Sequence, residues 1–234
     1  MSDIKLHFRE AGDGDTLILL HGNGENSSYF SNQLDFFARD RRVIAVDTRG
    51  HGDSPRGTAP FTLAQFADDL HDFFAENGIG KADILGFSDG ANIAMLFAMK
   101  YPECVNRLIL NGGNLFPRGV KASVQLPIEL GYRIASIFAK GSEKALRRAE
   151  MLRLMVNEPH IDPEELHSLH MRTLVIAGTK DMIRKSHTQL IFENLPNAQL
   201  VFIPGDHFIA AKQPEAFNAA AAAFLKSQKT VSEE

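Results

Sequence analysis

The sequence predicts an α/β fold, with a doubly wound and mostly parallel sheet and a small helical lid. Continuous apolar runs, such as residues 16–20 and 82–85, are typical of strands that are covered on both faces. Stretches with helical apolar spacing, such as residues 63–74, alternate with these runs. The alternation stops once, after the strand that ends at Leu110, and resumes at Thr173.

The order of the elements follows from the same two patterns. Ile4, Leu6 and Phe8 alternate with polar residues, which indicates a half-exposed edge strand at residues 4–8. Residues 231–234 are expected to form a frayed tail. Further strands are predicted at residues 16–20, 43–46, 82–85, 105–110, 173–177 and 199–203, and helices at 29–39, 63–74, 91–101, 186–195 and 214–226.

The interruption divides the chain into a core, residues 1–113 and 171–234, and a helical lid, residues 114–170. Ligands of parallel sheets bind beyond the carboxyl ends of the strands, and a lid inserted there would cover the same edge. Helices are predicted at 128–139 and 144–156. The residues expected to form the apolar inner face of the lid are Leu126, Ile128, Leu130, Ile134, Phe138, Leu152 and Met155.

Composition limits the classes of partner. The 234 residues are 44% apolar and 23% charged, which is ordinary for a globular protein, and the formal charge of −4 gives no reason to expect nucleic acid or an anionic membrane. Cys104 is the single cysteine, so an internal disulfide cannot form. The first residues lack the pattern of a signal peptide, and no apolar segment reaches transmembrane length. We expect a cytoplasmic monomer or homodimer without a cofactor.

Residues 86–90, Gly-Phe-Ser-Asp-Gly, connect a predicted strand directly to a predicted helix. A chain that reverses within so few residues strains the residue at the tip and needs small neighbours, which Gly86 and Gly90 supply. Ser88 is then exposed at the tip, with the N-terminus of the helix behind it. This G-x-S-x-G pattern in a strand-turn-helix context predicts a nucleophile elbow.

A serine nucleophile needs a base, and the base needs a carboxylate to orient it. His207 follows the last predicted strand, and Asp181 follows the strand before it, so both should reach the edge of the sheet where Ser88 lies. The order Ser88, Asp181, His207 is the one expected for this topology. Asn111 carries no charge at the alternative position for the acid, and Asp206 is the first alternative to Asp181.

The other histidines are weaker candidates for the base. His21 and His51 lie on loops at the sheet edge and are interpreted as hydrogen-bonding braces. His187 is close to Asp181 in sequence, which makes it a difficult base. His167 and His170 would share a helix face and so could form a metal pair, but no third ligand has a recognisable spacing, and we predict no metal site.

The developing oxyanion needs two donors that already point at it. The backbone N–H of Asp89 at the start of the helix is one, and that of Asn23, after the strand at 16–20, is the predicted second, with Gly24 as an alternative. The Asp89 side chain has two possible roles. In the structural one it pairs with an arginine or caps a backbone donor, and in the functional one it binds a cationic group of the substrate. The predicted pocket residues are Gly22, Gly24, Phe87, Phe138, Met155 and Met182.

Five motifs in this order resemble the α/β-hydrolase superfamily over nearly the whole chain. The resemblance is greatest to its small-lid esterases, lactonases and carbon-carbon bond hydrolases. It implies that Asp47 and Arg49 are structural. Ser88 stands where epoxide hydrolases and haloalkane dehalogenases have an Asp, which argues against those activities. The motifs are His-Gly-Asn-Gly at 21–24, Asp-Thr-Arg-Gly-His-Gly-Asp-Ser at 47–54, Gly-Phe-Ser-Asp-Gly at 86–90, Gly-Thr-Lys-Asp at 178–181 and Gly-Asp-His at 205–207.

These observations favour a serine hydrolase that cleaves a small-molecule carboxylic ester through an acyl-enzyme. A lactonase or a carbon-carbon bond hydrolase would use the same three residues. A ligand sensor of the same fold with low turnover is a different class, which the rate on simple aryl esters would separate from an enzyme.

Overall fold

A computed structural model describes residues 2–227, and the predicted frayed tail at 231–234 lies outside them. The sheet has seven strands in the order β1-β3-β2-β4-β5-β6-β7, with β1 antiparallel to β3 and all other pairs parallel. This confirms the predicted class. The strands are β1 Phe8–Ala11, β2 Thr16–Leu20, β3 Arg42–Val46, β4 Ala82–Phe87, β5 Val105–Asn111, β6 Arg172–Gly178 and β7 Ala198–Ile203.

Helices cover both faces of the sheet because the strands are apolar on both sides. In β2, Ile18 and Leu20 pack towards α2, α3 and α6, whereas Leu17 and Leu19 pack towards α1 and α8, and all four are buried. The helices are α1 Ser31–Phe37, α2 Leu63–Glu76, α3 Asp89–Lys100, α4 Ala122–Phe138, α5 Glu143–Asn157, α6 Lys185–Glu193, α7 Ile209–Lys212 and α8 Pro214–Lys226.

The first strand starts later than the alternation of Ile4, Leu6 and Phe8 predicts. It begins at Phe8, although the His7 carbonyl still accepts the Asp47 N–H at 2.9 Å, and other residues before it bind side chains. Asp3 pairs with the buried guanidinium of Arg49 at 2.7 Å, and the His7 N–H donates to Ser54 Oγ at 2.8 Å.

The segment between β5 and β6 forms the helical insertion (residues 114–170), in which α4 packs on α5. Helix α5 contacts loops at the carboxyl edge of the sheet. The Asn23 amide donates to the Met151 carbonyl at 2.8 Å, and Arg56 pairs with Glu150 at 2.6 Å. No helix within residues 2–227 is both long enough and apolar enough to cross a bilayer.

The predicted apolar inner face of the insertion is wrong for four residues of α4. Leu126, Leu130, Ile134 and Phe138 are 50–64% exposed and point away from the core. The apolar residues of α4 cover more of its circumference than α5 can bury, because α4 rests on α5 through its other side, where Ala135 is buried. Ile128, Leu152 and Met155 are half-buried.

We expect Gly90→Ala to destabilise the fold. A Cβ at Gly90 would lie 2.0 Å from the backbone oxygen of Leu20, so β2 and α3 would have to separate, at a cost of about 1–3 kcal/mol or more. Gly131→Ala in α4 is the matched control, because its Cβ would meet only Leu152, at 3.8 Å, and alanine raises helix stability by up to about 1 kcal/mol. Urea unfolding followed by circular dichroism measures both. Equal stabilities for the two variants would contradict this account of the junction.

Candidate active site

Ser88 lies at the junction between β4 and α3, with φ +54° and ψ −119°. It is the only non-glycine residue with a positive φ among residues 2–227. Its N–H donates to the Asn111 carbonyl at 2.8 Å, and its own carbonyl accepts the N–H of Ala91 at 2.9 Å and that of Asn92 at 3.2 Å. These bonds fix the strained backbone of the predicted elbow.

His207 and Asp181 meet on the loops that follow β7 and β6. His207 Nδ1 lies 2.7 Å from Asp181 Oδ1, and both side chains are buried. Asp181 Oδ1 also accepts the N–H of Ile183 at 2.9 Å, which orients the carboxylate. Because the carboxylate accepts from Nδ1, the Nε2 atom of a neutral imidazole carries the lone pair. That Nε2 atom is buried and has no hydrogen-bond partner in residues 2–227.

Asp206 occupies a different environment from Asp181. It is half-buried, accepts the N–H of Phe208 at 2.9 Å, and pairs with Lys212. The Lys212 ammonium and the Phe208 N–H lower the pKa of Asp206. Of the two acids considered from the sequence, Asp181 is therefore the one that contacts the imidazole of His207.

The loop after β2 passes directly beside Ser88. A Cβ at Gly22 would lie 3.1 Å from Ser88 Cβ, so only glycine lets the backbone come this close without displacing a neighbour. Gly24 has φ +76°, and the space where its Cβ would be is open. The Asn23 side chain binds Asp89 Oδ2 at 3.1 Å and the Met151 carbonyl at 2.8 Å. Met151 was not found from the sequence, because it contributes a backbone carbonyl.

The Asp89 carboxylate is held by amides and not by an arginine. Asn23 donates to Oδ2, and Asn92 donates to Oδ1 at 3.2 Å. Burial raises the pKa of Asp89 to about 6, and the nearby charge of Glu158 also raises it, whereas the two amides lower it. Asn92 in turn exchanges hydrogen bonds with Asn114 at 2.8 and 3.1 Å. A buried chain of amides thus connects the elbow helix to the loop after β5.

The other predicted pocket residues take different positions. Phe87 is buried below Ser88, stacked on Tyr29 at 4.4 Å and 4.8 Å from the His207 ring. Met182 is half-buried, and its carbonyl accepts the Lys121 N–H at 2.9 Å. Met155 is half-buried on α5. Phe138 is 64% exposed, beside the groove between α4 and α5, so its assignment to the buried inner face is wrong.

Three other histidines, His21, His51 and His187, bind backbone groups and hold loops in place. His21 binds its own loop, from Nδ1 to the Gly22 carbonyl at 2.7 Å, and its Nε2 accepts the Thr48 N–H at 3.0 Å. Burial, with the neighbouring His51, lowers the pKa of His21 to about 4. His187 Nε2 accepts the Leu115 N–H at 2.9 Å, and burial lowers the pKa of His187 to about 4. His51 Nδ1 contacts the Arg49 carbonyl at 3.0 Å.

The loop after β3 is held by partners on several other elements. Arg49 is fully buried and binds both oxygens of Asp69 at 2.6 Å. Asp47 accepts the Ser27 N–H at 2.6 Å, the Asp53 N–H at 3.0 Å and the His7 ring at 2.8 Å. His7, Asp47 and Asp53 have ligand atoms within 4.8 Å of one another, but the Asp47 oxygens are already bound to N–H donors. This donor set fits a loop brace better than a metal site.

We expect Asp89 to make stability depend on pH. Its pKa is about 6 in the folded chain and about 3.9 in an unfolded one, so the folded state holds the extra proton between these values. Wild-type stability should therefore fall as the pH rises from 4 to 6, an effect that Asp89→Asn removes. The difference in unfolding free energy, variant minus wild type, should grow by about 2 kcal/mol over this window. Urea unfolding at several pH values tests this, and a difference that shrinks with pH contradicts it.

The chain was compared with known proteins on sequence and on structure. An uncharacterized protein of Mycobacterium bovis is 32% identical over 145 residues, which span 62% of this chain and 40% of that protein. The match therefore spans less than half the length of that relative. The 2-hydroxy-6-oxo-6-(2'-aminophenyl)hexa-2,4-dienoic acid hydrolase of Metapseudomonas resinovorans is 26% identical over 260 aligned residues, covering 97% of this chain and 90% of that enzyme.

A solved structure and a family model were also found to be similar to this chain. A thermophilic esterase from Thermogutta terrifontis superposes with a TM-score of 0.77 at 25% identity, covering 95% of this chain and 93% of that one. The model of the alpha/beta hydrolase fold family matches residues 15–132, which hold the loop after β2, the elbow and the start of the insertion. The chain belongs to the alpha/beta hydrolase fold family.

Proposed function

We propose that this protein is a serine hydrolase that cleaves a small carboxylic ester through an acyl-enzyme. Ser88 is the nucleophile, His207 the base and Asp181 the acid that orients the base. The observation that carries the proposal is the 2.7 Å contact between His207 Nδ1 and Asp181 Oδ1, with a buried Nε2 atom that has no partner in residues 2–227. A histidine held in this way is prepared to accept a proton.

The proposed reaction has two halves. Ser88 Oγ attacks the ester carbonyl carbon while His207 Nε2 takes the hydroxyl proton, and Asp181 stabilises the resulting imidazolium. The imidazolium gives that proton to the alcohol as the carbon-oxygen bond breaks, which leaves Ser88 acylated. A water molecule then loses a proton to His207 and attacks the acyl carbon. Release of the acid returns the proton to Ser88 Oγ.

The backbone N–H groups of Asn23 and Asp89 are the proposed donors to the oxyanion. The Asp89 N–H is the first of α3, and the first N–H groups of a helix have no acceptor within the helix. The Gly22 backbone beside Ser88 brings the Asn23 loop to the same place. An ionised Asp89 would oppose the developing charge, and its raised pKa and two amide partners reduce that opposition.

Carbon-carbon bond hydrolysis is the second candidate. The relative from Metapseudomonas resinovorans covers 97% of this chain and is named as the hydrolase of a hexadienoic acid. A lactonase or a low-turnover sensor would retain the same three residues. Turnover of a small aryl ester, a lactone and a vinylogous diketone, compared at equal enzyme concentration, separates these activities. A sensor should turn over all three far below the usual range of about 1–10³ per second.

We expect a fluorophosphonate probe to label Ser88 and no other residue. Ser88→Ala should abolish labelling and lower the rate of ester hydrolysis by several orders of magnitude, because the nucleophile is lost. Ser28→Ala is the matched control, since this serine is exposed, on a short 3-10 helix between β2 and α1. Mass spectrometry of the labelled peptide measures the site. Strong labelling of the Ser88→Ala variant would disprove the serine mechanism.

The two neighbouring acids should differ sharply when each is neutralised. We expect Asp181→Asn to lower kcat by about 10³–10⁴-fold, because the imidazole loses the partner that sets its tautomer. Asp206→Asn should retain most of the activity, because Asp206 binds Lys212 and the Phe208 N–H. Steady-state kinetics on the preferred ester measures both. The reverse ranking would transfer the orienting role to Asp206.

A further inference from the structure

The large apolar side chains that are exposed all lie on one part of the surface. Within residues 2–227 there are six of them, and all belong to α4 and α5. An isolated apolar residue on a surface is ordinary, but a contiguous group of this size is typical of an interaction site. Their exposed fractions are Leu126 62%, Leu130 60%, Ile134 50%, Ile137 75%, Phe138 64% and Leu146 47%.

Five of these residues form a continuous line on α4. Leu126, Leu130, Ile134 and Phe138 follow one another every four positions, and Ile137 is three positions after Ile134. They therefore share one side of the helix over three turns, or about 18 Å. We call this group the α4 stripe.

The side of α4 that adjoins Phe138 is already occupied. Ala135 and Gln125 are buried, and Gly131 lies against Leu152 of α5. The α4 stripe is therefore a second apolar surface, and no other element within residues 2–227 covers it.

A groove runs beside the stripe, between α4 and α5. Its volume is about 380 Å³, and Ile134, Ala135, Phe138 and Ala145 form its apolar walls. Such a groove can receive side chains from a helix that packs on the stripe.

We propose that the α4 stripe is the interface with a second copy of this chain, with the two α4 helices antiparallel. The stripe is nearly symmetric about position 132. In an antiparallel pair centred there, Leu126 of one copy lies opposite Phe138 of the other, and Leu130 lies opposite Ile134. A surface that matches itself in this way is the requirement for a two-fold, isologous dimer.

Charge and area agree with this pairing. Glu129 and Arg133 lie along the same edge of the stripe, and antiparallel packing brings Glu129 of each copy near Arg133 of the other. A specific interface buries at least about 1,200 Å² in total, or about 600 Å² per copy, so a dimer through one helix face would be near the lower limit. A dimer of this size should form in a concentration-dependent way.

An anionic lipid surface is the competing occupant, because four basic residues lie near the turn between α4 and α5. These residues are Lys140, Lys144, Arg147 and Arg148. Two observations favour the second copy. The stripe has the symmetry of a dimer, which a lipid surface does not require, and Glu129 at its edge would be repelled by anionic headgroups.

Sedimentation velocity over a hundredfold range of concentration tests the proposal. The wild type should change from monomer to dimer, whereas Leu130→Lys should shift the midpoint at least tenfold upward, because each copy would then bury a lysine against Ile134 of the other. Ser136→Lys is the matched control, since it adds the same charge on an exposed position of α4 outside the stripe. Ser88→Ala should dimerise like the wild type, so the result is independent of the proposed activity.

Two results of these measurements would overturn the proposal. One is a wild type that remains monomeric throughout the range. The other is a monomer that binds vesicles of phosphatidylglycerol, which would assign the stripe to a lipid surface.

Cross-linking tests the register in a Cys104→Ser background. A mixture of Leu126→Cys and Phe138→Cys chains should form disulfide-linked dimers, because these positions face each other. Either variant alone should form few disulfide-linked dimers. In the antiparallel pair, residue 126 of one copy and residue 126 of the other lie at opposite ends of the interface, and the same holds for residue 138. Cross-linking of Leu126→Cys to itself at the level of the mixture would contradict the antiparallel pairing.

Discussion

The reversal of the chain at Ser88 is the steric constraint on which the arrangement of the sheet edge depends. A non-glycine residue at positive φ costs about 1–3 kcal/mol, and it persists only where its surroundings hold it. Here the last residue of β5, Asn111, holds the Ser88 N–H, and the first turn of α3 holds its carbonyl. Gly90 lets the same turn touch the end of β2 at Leu20. The ends of three strands are therefore fixed relative to one another by contacts within a few residues of Ser88.

Around this edge, the buried polar groups of the loops after β2 and β3 mostly have partners within the protein. His21 uses both ring nitrogens on backbone groups, and Arg49 is neutralised by Asp69, so neither has bonding capacity left for a substrate. His51, like His207, has a buried Nε2 atom without a partner in residues 2–227. The difference lies at the other nitrogen. His207 Nδ1 meets the carboxylate of Asp181, whereas His51 Nδ1 meets a carbonyl and a hydroxyl, and burial lowers the pKa of His51. Only the first arrangement suits a group that must gain a proton.

The sequence was sufficient for features that depend on neighbours in the chain. Apolar runs predicted the central strands, and the spacing of Leu63, Phe66 and Leu70 predicted the buried face of α2. Features that depend on distant partners were not predictable in this way. The first strand starts late because Asp3 binds Arg49, and the orientation of the α4 stripe depends on which side of α4 packs on α5. The amide partners of Asp89 were missed because an asparagine has no distinctive spacing.

Asn23 joins three parts of the molecule that the sequence separates widely. Its side-chain amide donates to Asp89 on α3 and to the Met151 carbonyl on α5, while its backbone belongs to the loop after β2. In the proposed mechanism this backbone supplies an oxyanion donor, so the donor is held in place partly by the helical insertion. A substrate that displaces α5 must break the bond to Met151 and loosen that donor. A substrate that leaves α5 in position keeps the bond to Met151 and the position of the donor. The arrangement therefore favours small substrates, and no selective contact from the insertion is needed.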